Sequence, residues 1–422
     1  MPEIRELERY LADKRDDISR FEIRKRDIIL TPSREFIQVI YGPRRAGKSY
    51  MLLEMIKEMD PDRVLYLNFD DIQLDGWSAM DVFDSVSTFH EIYGREPDTI
   101  VLDEIQRIKG WARAVISLYE KKRYNIFLTG SSSGLLAWEI DTSLRGRSLK
   151  QVLFPLSFRE YLSFRDIGIR DHPGTNDIVM IKRALTEYLE KGSFPGIIGE
   201  DVLGQRFYDD YVDLVVYRDL VERFGISNLP MLRFLIRNII SSYSKPLSVN
   251  RLANNWRSMR YEGSKKTLYL YLSYLEDVEF ALLLKKYSRS ERTSDLSTPK
   301  VYLPDSGLAS NILGPQIGRE MENAVIVEML RRTSMDPSIK IFYWKENGNE
   351  MDLVITKNEE VVELIQVTNS LTHENMDREI DPFDRFPDGD EATGRTLITW
   401  TGEEKVPEGI RVVSLWEFLL GV

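Results

Sequence analysis

Phe36-Ile37-Gln38-Val39-Ile40-Tyr41, followed at once by Gly42-Pro43-Arg44-Arg45-Ala46-Gly47-Lys48-Ser49, is the stretch that decides how this chain folds. The first six residues read as a buried strand. Ser49 to Met59, with Tyr50 leaving the loop and Met51, Leu52, Met55 and Ile56 on one face, reads as a helix. Between them lies G-x-x-x-x-G-K-[ST], and strand, glycine loop and helix are the setting in which that pattern cradles phosphate. Backbone N–H groups from Gly42 to Ser49 and the helix N-terminus point at the β- and γ-phosphates of a nucleotide. Lys48 adds a point charge there, and the Ser49 hydroxyl is a ligand for Mg²⁺. The bland alternative is a glycine turn carrying a solvated lysine.

Downstream, Val64-Leu65-Tyr66-Leu67-Asn68-Phe69 reads as a second strand, and Thr99-Ile100-Val101-Leu102-Asp103-Glu104 as a third that ends in two carboxylates. This is the second half that a nucleoside triphosphate site needs: Asp103 to hold Mg²⁺ and Glu104 to orient and deprotonate the attacking water. Asn125 to Gly130 is the next strand, and its carboxyl end places Thr129, or Ser131 just beyond, beside the γ-phosphate. Arg145 and Arg147 precede a further strand, Leu149 to Phe154. An arginine here reaches a phosphate within the chain or across a subunit interface, or is a plain surface turn residue.

G-P-R-R-A-G-K-S, T-I-V-L-D-E-I-Q, F-L-T-G-S-S-S, L-R-G-R and F-P-L-S-F-R-E-Y-L follow in that order. Together they resemble the AAA+-type ATPases of archaea and bacteria, close to the signal-transducing (STAND) branch. The resemblance implies a parallel sheet with the phosphate-loop strand central, ATP as the nucleotide and Thr129 as a sensor. Gly192-Ser193-Phe194-Pro195-Gly196 resembles that family's G-G-x-P turn, with Ser193 in place of a glycine.

The 422 residues carry a net charge of −11, 42% hydrophobic side chains and no cysteine. Disulfides and thiolate metal sites are thereby excluded. No apolar run approaches the ~20 residues of a membrane span, and the N-terminus lacks a signal-peptide core, so a cytoplasmic protein is expected. Charge is spread unevenly: residues 1–150 net −2, 151–230 net −4, 231–300 net +7 and 301–422 net −12. Any nucleic-acid contact belongs in the third window.

Met231 to Tyr261 holds no acidic residue. Helices read at 231–242, 248–259 and 264–277, with Ser248 and Ser264 as N-caps. Strands read at Phe280–Leu284 and Lys300–Leu303. Three helices and a two-stranded wing make a winged helix-turn-helix, which the resembled family carries at this point. Lys265 and Lys266 would then enter a major groove, with Arg251, Arg257, Lys285 and Lys286 near phosphates. In that family the same module also serves as a lid or a protein-docking unit.

Beyond it, a helix from Gly318 to Arg332, strands at 341–345 and 349–355, and a third at 361–367 resemble the restriction-endonuclease-like fold that ends the family. Its pattern asks for an Asp and then Glu-x-Lys. Asp352 is present and Glu322 stands ready on the helix, but Gln366-Val367-Thr368 replaces the second element. Glutamine is a poor Mg²⁺ ligand and threonine carries no charge, so the nuclease site reads as degenerate.

The expected architecture is α/β: an ATPase core with its N-terminal helix over 1–160, a helical connector over 161–229, the winged helix over 230–305 and the endonuclease-like domain over 306–422. The leading functional expectation is an ATP- and Mg²⁺-dependent switch in which Lys48, Glu104 and Arg147 act on ATP and residues 231–300 bind double-stranded DNA. An ATP-dependent nuclease using Asp352 is one alternative. A regulator that captures a protein through its acidic end is another. Oligomeric state is open.

Overall fold

The computed structural model describes residues 3–130, 146–200, 204–389 and 393–422. Ser131 and Arg145 lie outside them. The chain divides into two compact units, Met1–Leu153 and Phe154–Val422.

In the first unit, apolar runs that bury both faces form parallel strands: β1 (Ile37–Tyr41), β2 (Val64–Asn68), β3 (Thr99–Asp103), β4 (Asn125–Gly130) and β5 (Ser148–Val152), in the order β2-β3-β4-β1-β5. Helices α1 (Ile4–Arg20), α3 (Ala79–Tyr93) and α4 (Trp111–Glu120) share one core with the sheet, through Leu7, Tyr10, Phe89, Trp111 and Leu118. Helix α2 (Lys48–Lys57) belongs to another core, with Met51, Leu52 and Ile56 against Tyr66, Val101 and Phe127. Parallel register sets the site. Ile40 pairs with Thr129, Asn68 with Asp103 and Leu102 with Leu128, so the ends of β1, β3 and β4 meet at one carboxyl edge.

The second unit begins at Phe154, ahead of the boundary expected at 160. The reason is aromatic packing: Phe158 and Tyr161, on α5 (Phe158–Phe164), meet Tyr188 edge-on at 5.4 and 5.3 Å on α6 (Thr175–Lys191). Within the expected helical connector, α7 (Gly204–Leu214) is continued by a wider i→i+5 helix over Val215–Glu222. Then come α8 (Leu229–Ser241), β6 (Lys245–Pro246), α9 (Val249–Ser258), α10 (Lys265–Asp277), β7 (Leu282–Leu284), α11 (Glu291–Leu296) and β8 (Lys300–Tyr302). The three strands form an antiparallel sheet in the order β6-β8-β7. Ser248 and Ser264 accept from the N–H groups of Arg251 and Thr267 and cap α9 and α10.

After α12 (Ser306–Leu313) and α13 (Ile317–Thr333), a five-stranded mixed sheet closes the chain. Strands β9 (Ile339–Glu346), β10 (Asn349–Lys357) and β11 (Glu360–Val367) run antiparallel. Beyond α14 (Met376–Arg385), β12 (Gly394–Thr399) and β13 (Arg411–Ser414) join parallel.

A buried carboxylate pins the helical part of this unit. Asp305 accepts from the Ser193 N–H at 2.7 Å, the Gly307 N–H at 2.8 Å and the Tyr208 hydroxyl at 3.0 Å. Gly192 has φ +96°, and a Cβ there would stand 1.7 Å from the Tyr208 oxygen and 2.9 Å from both Asp305 oxygens. Position 193 has no such constraint, and its hydroxyl adds a 3.3 Å bond to Asp305, which accounts for serine where the resembled turn has glycine. Gly192→Ala should therefore cost about 3 kcal/mol or more in denaturant unfolding, against about 1 kcal/mol for Ser193→Ala.

Candidate functional site

The phosphate loop leaves β1 through Gly42, whose φ is +146° and whose hypothetical Cβ would sit 2.3 Å from the Leu153 carbonyl oxygen. Arg45 and Gly47 also take positive φ, 64° and 97°. Lys48 is buried, and its amine donates to the carbonyls of Gly42 and Pro43 at 2.9 and 3.0 Å. Tyr50, by contrast, is half exposed and sits 5.7 Å from the ring of Phe21.

Asp103 is fully buried at the end of β3. It accepts hydrogen bonds from the hydroxyls of Thr129, Ser49 and, at 3.1 Å, Tyr66. Burial pushes its carboxyl up, opposed by those three bonds and the Lys48 charge. Glu104 follows in a left-handed conformation, φ 53°, and its N–H donates to Thr129 Oγ1 at 3.0 Å. Burial raises its carboxyl as well, with Asp103 adding and Lys48 opposing. One hydroxyl, Thr129, thus touches both acids. Left-handed backbone in a non-glycine residue is a strained state that turns a side chain away from the strand's regular alternation.

Ser49 and Asp103 offer adjacent hard oxygen donors, and a buried carboxylate with a raised pKa favours a nearby cation, so the pair fits Mg²⁺. Among the described residues no group of three His, Cys, Asp or Glu side chains converges as a metal site. A phosphate-loop metal needs none, because its remaining ligands are phosphate and water.

Two further residues serve the site unannounced. Arg26 is buried and donates to the Ala46 carbonyl at 2.7 Å, bracing the loop from a segment ahead of β1. Gln106 donates to Glu104 at 2.5 Å. The cluster Arg24-Lys25-Arg26 was the signal available for the first, and the T-I-V-L-D-E-I-Q run for the second.

Arg147 requires a correction. Its carbonyl accepts from the Ile37 N–H at 2.9 Å, and its guanidinium lies over Tyr119 and 3.7 Å from Glu120. Ile37 opens β1, whereas the phosphate loop leaves its other end, roughly 15 Å away at strand rise. Within its own chain, Arg147 stands at the wrong edge of the sheet for the γ-phosphate.

In the second unit, Arg251, Arg257, Lys265 and Lys266 are exposed, and no ion pair holds them among the described residues. Lys285 and Lys286 differ from the expectation. They pair with Asp295 at 2.7 Å and Glu346 at 3.9 Å. Their backbone runs beside β9, where Tyr343 N–H donates to Lys285 O and Tyr287 N–H to Tyr343 O. The chain after β7 is joined to the terminal sheet, and each of these lysines faces an acid in a solvent-accessible ion pair.

Glu322 and Asp352 do come together, around a lysine that sequence reasoning passed over. Lys300 is 1% exposed, and its amine reaches Glu350 at 2.7 Å, Glu322 at 2.9 Å and Asp352 at 3.0 Å. Burial pulls this ammonium down, but the charges of Glu322, Tyr302, Asp352 and Glu350 outweigh it and hold it well above its ordinary value. Gln366 accepts from the Asp352 N–H at 3.1 Å and donates to Glu379 at 2.9 Å. Thr368 Oγ1 donates to the Ser370 carbonyl at 3.3 Å. Glu322, Glu350, Asp352, Gln366 and Thr368, with Arg251, Arg319 and Arg378, line a cleft of about 1030 Å³, and Lys300 lies behind them.

With this geometry in place, known proteins give the class. Residues 34–162 match the profile of an AAA domain, and residues 182–316 that of a domain of unknown function. Sheet order, phosphate loop and matched profile define an AAA-type P-loop protein. Over 382 residues the chain is 31% identical to the uncharacterized protein MJ1544 of Methanocaldococcus jannaschii, spanning 90% of this chain and 85% of that one. It belongs to the same family as that protein. An uncharacterized protein of Haemophilus influenzae is 25% identical over 399 residues, 92% of this chain and 94% of the relative. Among solved structures, the Walker-type ATPase PABY2304 of Pyrococcus abyssi aligns over 65% of this chain and 90% of its own, with 16% identity and a TM-score of 0.41.

Burial pushes Glu322 up from 4.5 to about 7, with Lys300 opposing and Asp352 adding. A raised carboxyl stabilises the fold fully below its unfolded value, and that contribution is lost as pH rises through the folded one. The stability advantage of wild type over Glu322→Gln should therefore fall between pH 4.5 and about 7, by at most about 1.4 kcal/mol per pH unit. Urea titrations at fixed pH steps would read it.

Proposed function

We propose that this chain is an ATP-hydrolysing switch whose nucleotide state governs binding of double-stranded DNA. The observation that carries the first half is the meeting of Lys48, Ser49, Asp103, Glu104 and Thr129 at one carboxyl edge of a parallel sheet. Lys48 exchanges its loop carbonyls for phosphate oxygens. Ser49 and Asp103 hold Mg²⁺, which when bound neutralises phosphate charge. Glu104 takes the proton from a water attacking the γ-phosphorus as the bond to the β-phosphate oxygen breaks. Thr129 fixes the relative position of the two acids. Arg147 does not reach this site within its own chain.

The second half rests on residues 229–302. Helices α8, α9 and α10 with the three-stranded antiparallel sheet support a winged-helix reading, with α11 inserted between β7 and β8, and the exposed Arg251, Arg257, Lys265 and Lys266 form the basic surface we assign to duplex DNA. Exposed Tyr269 and Leu270 follow on the same helix, suited to sugar and base edges. The terminal mixed sheet we read as a restriction-endonuclease-like fold without its chemistry, since Gln366 is committed to Asp352 and Glu379.

Lys48→Ala should abolish ATP binding in calorimetry, while Glu104→Gln should keep binding and lower turnover by about 100-fold or more. Unchanged hydrolysis in Glu104→Gln would remove Glu104 as the base. Adding duplex DNA should raise steady-state ATPase activity above the Lys48→Ala blank. Lys265→Ala combined with Lys266→Ala should weaken DNA binding and flatten its dependence on log salt by about two units. If turnover ignores DNA and wild type shows no salt-dependent binding, the basic surface is not a DNA site.

A further inference from the structure

The cluster around Lys300 has no part in ATP chemistry, yet it concentrates charge in the second unit. Lys300 comes from β8 of the small antiparallel sheet, Glu322 from α13, and Glu350 and Asp352 from β10 of the terminal sheet. Its three N–H groups meet three carboxylate oxygens at 2.7–3.0 Å, so the ammonium is saturated. The carboxylates are committed on their other sides too. Tyr302 donates to Glu322 at 2.6 Å, the Val367 N–H to Asp352 Oδ2 at 3.1 Å, and Lys345 to Glu350 at 2.5 Å.

Three carboxylates, one from α13 and two from β10, meet at one point, and such a concentration of negative charge calls for a cation. Here the point is filled by a covalently tethered cation. An ion entering would have to displace an ammonium that is 1% exposed and bonded three times. Leaving that ammonium buried without its partners would cost several kcal/mol.

We propose that Lys300 is a built-in substitute for a divalent metal: it neutralises the Glu322–Glu350–Asp352 cluster, excludes Mg²⁺ or Mn²⁺ from it, and makes the terminal domain a metal-independent module. The same contact joins β8 to the terminal sheet, so the charge that replaces the metal also fastens these parts together. This inference is independent of the ATP site.

The test is Mn²⁺ titration of the full chain without nucleotide, read by electron paramagnetic resonance or calorimetry. Wild type and Asp352→Asn should bind the same number of Mn²⁺ ions. Lys300→Met should gain one Mn²⁺ per chain, and Lys300→Met with Asp352→Asn should lose it again. Lys300→Arg, which keeps the charge, should gain none. A wild-type Mn²⁺ site that Asp352→Asn removes would overturn the proposal, as would a folded Lys300→Met that binds no more than wild type. Should Lys300→Met fail to fold alone, millimolar Mn²⁺ is expected to restore it. Failure to fold with and without the metal also counts against the idea, because an ion fitting the cluster would take the ammonium's place.

Discussion

A charge removed from water must be met by partners of opposite charge or by hydrogen bonds, and that constraint shapes both halves of this protein. In the first unit it explains why Asp103 collects three hydroxyls and lies near Lys48; Thr129, one of the three, also accepts from the Glu104 backbone N–H. In the second it draws three carboxylates around Lys300 and three donors around Asp305. The two units solve the same electrostatic problem for different ends. The phosphate-loop edge keeps a lysine and carboxylates near one another, whereas the Lys300 ammonium is bonded directly to three carboxylates.

Parallel topology makes the first arrangement possible. Strands that run the same way deliver their carboxyl ends to one edge, so residues far apart in sequence (Gly42, Asp103 and Thr129) become neighbours without any loop having to carry them. Edge and direction matter equally. Arg147 is near these residues in chain order, but it stands at the amino end of β5 and is about one strand length from the loop.

What could be read from sequence follows from how local each feature is. The phosphate loop, the Asp103-Glu104 pair and Thr129 sit in short runs whose chemistry and periodicity agree, and the structure brings them together. The caps at Ser248 and Ser264 are local for the same reason. For Arg147 the sequence left cis and trans action open, because an arginine before a strand says nothing about which end of the sheet it occupies, and within one chain it lies away from the loop. Lys285 and Lys286 read as free basic charge; Asp295 meets the first from α11, and only the pairing of the backbone with β9 brings Glu346 to the second. Lys300 left no trace at all. A lysine in Pro299-Lys300-Val301-Tyr302 reads as an exposed strand residue, and its partners lie 22, 50 and 52 positions away.

The Asp305 junction shows the same constraint acting at two neighbouring points of one segment. Asp305 follows β8 directly and begins α12, while its donors come from the α6 C-terminus and from α7. Lys300, five residues earlier, grips α13 and β10. The segment from 300 to 305 is therefore held at both ends by buried charge, and slack at either end would strand an unpaired ion.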